Sequence, residues 1–124
     1  MKIRIKGDSI RFRLTKTEVE TFCSTGVFSE TTHFGNSEFT YKLQAKDGIT
    51  SMEAEFSNNT ITLFVPKYEC SNWATSDKVG YQNMMSLKNS KELSLLLEKD
   101  FACLDNTTED QSDNYPNPKV GDVC

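Results

Sequence analysis

No apolar run in this 124-residue sequence exceeds three aliphatic residues, at Leu95-Leu96-Leu97. Nothing approaches the roughly 20 that cross a bilayer as a helix. The amino-terminal stretch MKIRIKGDSIRFRL alternates charged and apolar residues and lacks the apolar core, about 7 to 15 residues long, of a secretory leader. The expectation is a cytoplasmic protein with no membrane partner. A basic excess is also missing: 14 Lys and Arg stand against 18 Asp and Glu, a formal charge of −4, which argues against nucleic acid as a partner. Histidine occurs once, at His33, so any histidine acid–base chemistry must pass through it. There is no G-x-S-x-G elbow, Walker loop, Rossmann glycine pattern or H-E-x-x-H. The four cysteines, Cys23, Cys70, Cys103 and Cys124, contain no C-x-x-C pair, which removes the usual zinc-ribbon and thioredoxin spacings. Together with His33 they form a ligand set only if the fold gathers distant residues. The plainer reading is four free thiols, with Cys23 and Cys70 packed as small apolar side chains. No catalytic residue, metal or cofactor is assigned.

What the sequence does contain is a regular alternation. The length favours one domain, and 36% hydrophobic residues, with 8 Phe and 4 Tyr, suffice for a core. Residues 2–6 and 9–14 alternate around Gly7-Asp8, a pair suited to a II′ hairpin turn. That register pairs Ile5 with Ile10, Ile3 with Phe12, Arg4 with Arg11 and Lys2 with Arg13. Thr15 with Glu18 three residues on is a capping box. Val19, Phe22 and Cys23 then make a narrow apolar stripe, and Gly26 suits the helix stop, so a helix is predicted over about 16–25. From Val27 the period returns to two, with Glu30 interrupting one apolar set. Further strands follow around Phe39–Ala45, Met52–Phe56 and Ile61–Val65. After Pro66 a second helix is predicted over about 67–75, from the spacing of Cys70, Trp73 and Ala74. Tyr81–Leu87 and Glu92–Glu98 read as the last strands.

The expected fold is α+β. About eight short strands form an antiparallel sheet curled into a barrel or sandwich, with two short helices and an irregular C-terminal tail. The domain is expected to span residues 1–104. Residues 105–124 form an acidic, proline-containing tail, draped on the domain or mobile. No internal repeat is visible in the sequence.

Three segments, KIRIKGDSIRFRLTKTEV, THFGNSEFTYKL and EKDFACLDNTTEDQSDNYPNP, together resemble a family of small uncharacterised bacterial proteins, mostly of Bacteroidetes type. The resemblance spans nearly the whole chain. It implies a stand-alone domain and carries no activity, cofactor or catalytic residues.

One constellation stands out. Lys2, Arg4, Arg11 and Arg13 point to one side of the opening hairpin, which holds all three arginines of the protein, with Lys6 at its turn end. Like charges facing across two strands cost roughly 0.2–1 kcal/mol per pair, so a counter-charge is expected. Glu98, Asp100, Asp105, Glu109, Asp110 and Asp113 offer one, as an acidic latch folded over the basic face. A plain solvated surface is a second reading. The third is an anion site on Lys2, Arg4, Arg11 and Arg13, since arginine forks bind phosphate or carboxylate through paired hydrogen bonds. The spacing of Asp105, Thr107 and Glu109 fails as a calcium loop, because Asp110 stands where glycine is needed and Pro116 where the closing glutamate is. The function expected is a small binding or interaction domain without catalysis. Its alternative is an enzyme or sensor holding a phosphorylated or carboxylated ligand on the hairpin face. The partner is a protein or a small anion, and the chain is a monomer or weak homodimer.

Overall fold

The opening hairpin forms with the register that its alternation dictates. Strands β1 (Lys2–Ile5) and β2 (Ser9–Leu14) pair Arg4 with Arg11 and Lys2 with Arg13. Gly7 alone in the loop takes a positive φ, 54°, the sign a II′ turn needs at its first central residue, and the Lys6 amide donates to the Ser9 carbonyl at 3.0 Å. Helix α1 (Lys16–Thr25) follows at once. Glu18 accepts the Thr15 amide at 2.9 Å, the return arm of the capping box. Gly26, left-handed at φ 83°, donates its amide to the Phe22 carbonyl and stops the helix.

The computed structural model describes residues 1–101 and 112–116. The remaining elements are β3 (Val27–Phe34), β4 (Ser37–Lys46), β5 (Glu53–Ser57), β6 (Thr60–Pro66), α2 (Lys67–Cys70), β7 (Gly80–Ser86) and β8 (Glu92–Lys99). They build two four-stranded sheets, in the orders β1-β2-β8-β7 and β3-β4-β6-β5. The sandwich-like form of the expected α+β fold is consistent with this arrangement, and the barrel form and the wholly antiparallel pairing are corrected. There are two sheets, not closed into a barrel, and the middle pair of each, β2 with β8 and β4 with β6, runs parallel. Alternation and turn residues specify hairpins, and they say nothing about which hairpins then meet edge to edge.

The pattern has a logic that the sequence hides. Each half of the chain is hairpin, helix, hairpin, and the halves exchange partners. The first hairpin of each half pairs with the second hairpin of the other. All four hairpin loops consequently lie at one end of the molecule, and both helices lie at the other.

Between the sheets Phe12, Leu14, Leu95 and Leu97 of one face Leu43, Ile61, Leu63 and Val65 of the other, with Val19 and Phe22 of α1 and with Trp73 beyond α2. All are buried, and burying each large side chain contributes about 1.5–3 kcal/mol. The second helix is shorter than its stripe predicts, ending at Cys70. Beyond it Ser71, Thr75 and Ser76 donate their hydroxyls to the Tyr68, Asn72 and Trp73 carbonyls. Such local bonds compete with helix continuation and leave a series of turns, yet Cys70 and Trp73 stay buried.

The sheet edges are fastened by side chains instead of by backbone ladders. On one seam the Met1 ammonium, at the start of β1, pairs with Glu18 of α1 and Glu30 of β3. On the other the Asn83 carboxamide of β7 bonds both backbone groups of Met52, accepting from its amide at 2.9 Å and donating to its carbonyl at 3.1 Å. One side chain there does the work of a ladder rung between β7 and β5. Losing both bonds in Asn83→Ala is expected to lower the unfolding free energy by about 2 kcal/mol in urea titrations. A change below about 0.5 kcal/mol would show that the sheets hold without the seam.

Candidate anion-binding site

Strand pairing places the basic residues before any ligand is considered. On the outward face of the first sheet, Arg4 and Arg11 face each other across β1 and β2, as do Lys2 and Arg13. The parallel neighbour β8 sets Leu96 beside Arg11 and Glu98 beside Arg13. The edge strand β7 adds Gln82 opposite Leu96 and Gly80 opposite Glu98.

The counter-charges gather at the helix end of this face. Glu98 Oε1 lies 2.9 Å from Arg11 Nε and 4.0 Å from Arg13 Nε. These are ion pairs without aligned hydrogen bonds, since that oxygen is buried and has no hydrogen-bond partner. Lys2 Nζ lies 3.2 Å from Asp100 Oδ2, a buried carboxylate just past β8. The loop end differs. Arg4 and Lys6 are exposed, and neither has an ion pair among the described residues. They line a depression of about 280 Å³ with Ser9, Arg11 and Leu96. Glu98 engages the Nε edge of Arg11, which leaves the two terminal nitrogens of that guanidinium for another partner.

Beyond Leu96 a second depression of about 210 Å³ is lined by Val79, Gly80, Tyr81, Gln82, Leu96 and Glu98. Gly80 is bare by necessity, because a Cβ there would fall 1.9 Å from the Leu97 carbonyl oxygen. Two larger hollows elsewhere have balanced charge. One contains Glu69 and Lys78, and the other contains Asp47 and Lys67, paired at 3.8 Å.

All four expected residues therefore share one face, and the structure divides them. Arg4 and Arg11 border the depression, whereas Lys2 and Arg13 sit beside acids. Lys6 and Ser9 complete the lining. Ser9 shares the outward parity of Arg11 and Arg13, which was the signal available for it in the sequence. Of the six acids proposed as a latch, Glu98 and Asp100 do meet the basic face, from β8 and its end. Asp113 goes instead to the start of α1, where its Oδ1 accepts the Thr17 hydroxyl at 3.0 Å. Hydrogen bonds from Thr15 and then Thr17 hold its pKa below the usual carboxylate value. Asp105, Glu109 and Asp110 lie outside the described residues.

Among the described residues the cysteine and histidine set does not assemble. His33 stands exposed near the tip of the β3–β4 hairpin, 3.5 Å from Glu38, while Cys23 of α1 and Cys70 of α2 are free thiols. Cys103 and Cys124 lie outside the described residues. Among the described residues no three potential metal ligands converge, and no helix is long and apolar enough to cross a membrane.

The fold and the site define a small, mostly β domain with a cationic hollow on one sheet. The chain belongs to a family of unknown function, DUF7009, whose profile matches residues 1–119. No curated protein matches the chain, and no solved structure does.

Titration under the helices gives a pH prediction. Burial pushes the Cys70 thiol up from 9.0 to about 11, and it raises Cys23, Tyr41, Tyr81 and Tyr115 as well. An acid with a raised folded pKa contributes stability below its unfolded pKa and loses it as pH climbs to the folded one. Burial lowers Lys99, and a lowered base acts in the opposite sense, but it is one group against five. Unfolding free energy should fall between pH 9 and 11, the window for Cys70, by up to about 1.4 kcal/mol per pH unit for each group. Cys70→Ala should flatten that slope, whatever its effect at pH 7; an unchanged slope would exclude Cys70 as a contributor.

Proposed function

We propose that this chain is a bacterial, cytoplasmic binding domain without chemistry of its own, and that it takes an anionic group in the hollow of Arg4, Lys6, Ser9 and Arg11. One observation carries this reading. Every other cation on the sheet face has a carboxylate beside it, whereas Arg4 and Lys6 face solvent unpaired among the described residues. Keeping like charges together without a counterion costs stability, and such a cost is retained where a ligand offsets it. Among the described residues no carboxylate, imidazole or thiol lines the hollow, which supports binding over proton transfer. Free thiols at Cys23 and Cys70 suit a reducing compartment. The partner in this reading is a small anion or a protein presenting one, and the acidic balance of the chain speaks against nucleic acid.

Thermal melting with phosphate, sulfate and small carboxylates tests the site. A ligand at ten times its dissociation constant adds about 1.4 kcal/mol, a rise of several degrees for a domain this size. Arg4→Ala and Arg11→Ala should abolish the rise. Without ligand, Arg4→Ala should melt slightly higher than the parent, because relieving the cross-strand repulsion is worth roughly 0.2–1 kcal/mol. An anion-induced rise that survives both substitutions would sink the proposal.

A further inference from the structure

The second depression narrows the class of ligand, an inference that rests on the anion site above. Arg11, Leu96 and Gln82 form a row across β2, β8 and β7. With strands about 4.8 Å apart, the row spans about 10 Å. Leu96 is the wall common to both hollows. On one side stand two guanidinium groups, an ammonium and a hydroxyl, more donors than the two oxygens of a carboxylate can use and a good match for a phosphoryl group. On the other side are Val79, Leu96 and the uncharged Gln82 amide, with Glu98 as the single charge, while the Tyr81 ring turns inward against Trp73. Among the described residues no cation lines that side, and its carboxylate is already engaged by Arg11 and Arg13, so a second anionic group finds no counter-charge there.

We infer that the site takes a phosphate monoester, with its phosphoryl group among Arg4, Lys6, Ser9 and Arg11 and an uncharged, partly apolar body of about one ring laid over Leu96 towards Gln82. Glu98 positions Arg11 by engaging Nε. A polyphosphate, with charge on both sides of Leu96, is disfavoured because the second hollow offers no cation among the described residues.

Calorimetric titration of the full chain with inorganic phosphate, phenyl phosphate and inorganic pyrophosphate separates the two levels of the argument. Phenyl phosphate should bind about tenfold more tightly than inorganic phosphate, the gain from covering part of a ring, and pyrophosphate no more tightly than phosphate. In Leu96→Ser, checked for retained fold by circular dichroism, phenyl phosphate should fall to the level of phosphate while phosphate itself is unchanged. Arg4→Ala should lose all three. Equal affinity for phosphate and phenyl phosphate, pyrophosphate as the tightest ligand, or an advantage that survives Leu96→Ser would overturn the monoester and leave the anion site standing. No phosphate binding to the parent chain, or binding that Arg4→Ala leaves intact, would overturn the anion site itself.

Discussion

The parallel pairing of β2 with β8 is the contact on which both fold and candidate site depend. It joins residues 9–14 to residues 94–99 and so brings the last strand against the first hairpin. On the inner side it sets Ile10 and Phe12 next to Leu95 and Leu97; on the outer side it sets Arg11 and Arg13 next to Leu96 and Glu98. Because the side-chain period is two, a slip of one residue would reverse both faces at once, burying the arginines and exposing the core. The buried face therefore fixes where the charges fall. The register that packs Phe12 is the register that gives Arg11 its partner and leaves Arg4 without one among the described residues.

Three polar residues at inward strand positions explain how the two sheets stay together. Glu30 interrupts the apolar set of β3, Asn83 that of β7, and Lys99 ends that of β8. Glu30 meets the Met1 ammonium, and Asn83 bridges to Met52. Lys99 Nζ donates to the Ser76 carbonyl at 2.7 Å and lies 5.0 Å from the Tyr115 ring centre, fixing the segment after α2 and the C-terminal residues 112–116. A buried polar group is costly unless its bonds are satisfied, and each of these is satisfied by a group from another element. What reads as a flaw in the alternation is a fastener.

This is also why the sequence disclosed some things and concealed others. The hairpin at Gly7-Asp8, the capped helix ending at Gly26 and the eight strands follow from nearest-neighbour chemistry, namely period, caps and turn glycines. The shared face of Lys2, Arg4, Arg11 and Arg13 follows too, because one hairpin register fixes it. The division of that face does not, since it comes from Glu98 and Asp100, more than eighty residues away in the chain. Asp113 shows the same limit. Its charge suggested the basic hairpin, but unpaired amides and hydroxyls at the start of α1 offer a carboxylate directed hydrogen bonds. Directed bonds at short range outweigh a diffuse attraction across solvent.

The exchange of hairpins between the halves carries a last consequence. Neither half contains a complete sheet, so neither can bury its apolar faces alone; each sheet closes only when distant segments meet. Joining β2 to β8, whose partners Ser9 and Ser94 stand 85 positions apart, closes more than half of the chain into a loop, and such long-range pairings gain nothing until the loop entropy has been overcome. The cationic hollow shares that dependence. Arg4, Lys6 and Ser9 come from the first hairpin, but Leu96 and the carboxylate that steadies Arg11 come from the last strand. An isolated hairpin would display four or five mutually repelling cations with no wall behind them. Only the completed first sheet combines an end neutralised by Glu98 and Asp100, an end with no ion pair among the described residues, and an apolar divider, so any anion recognised there reports on a fold in which β8 has met the first hairpin.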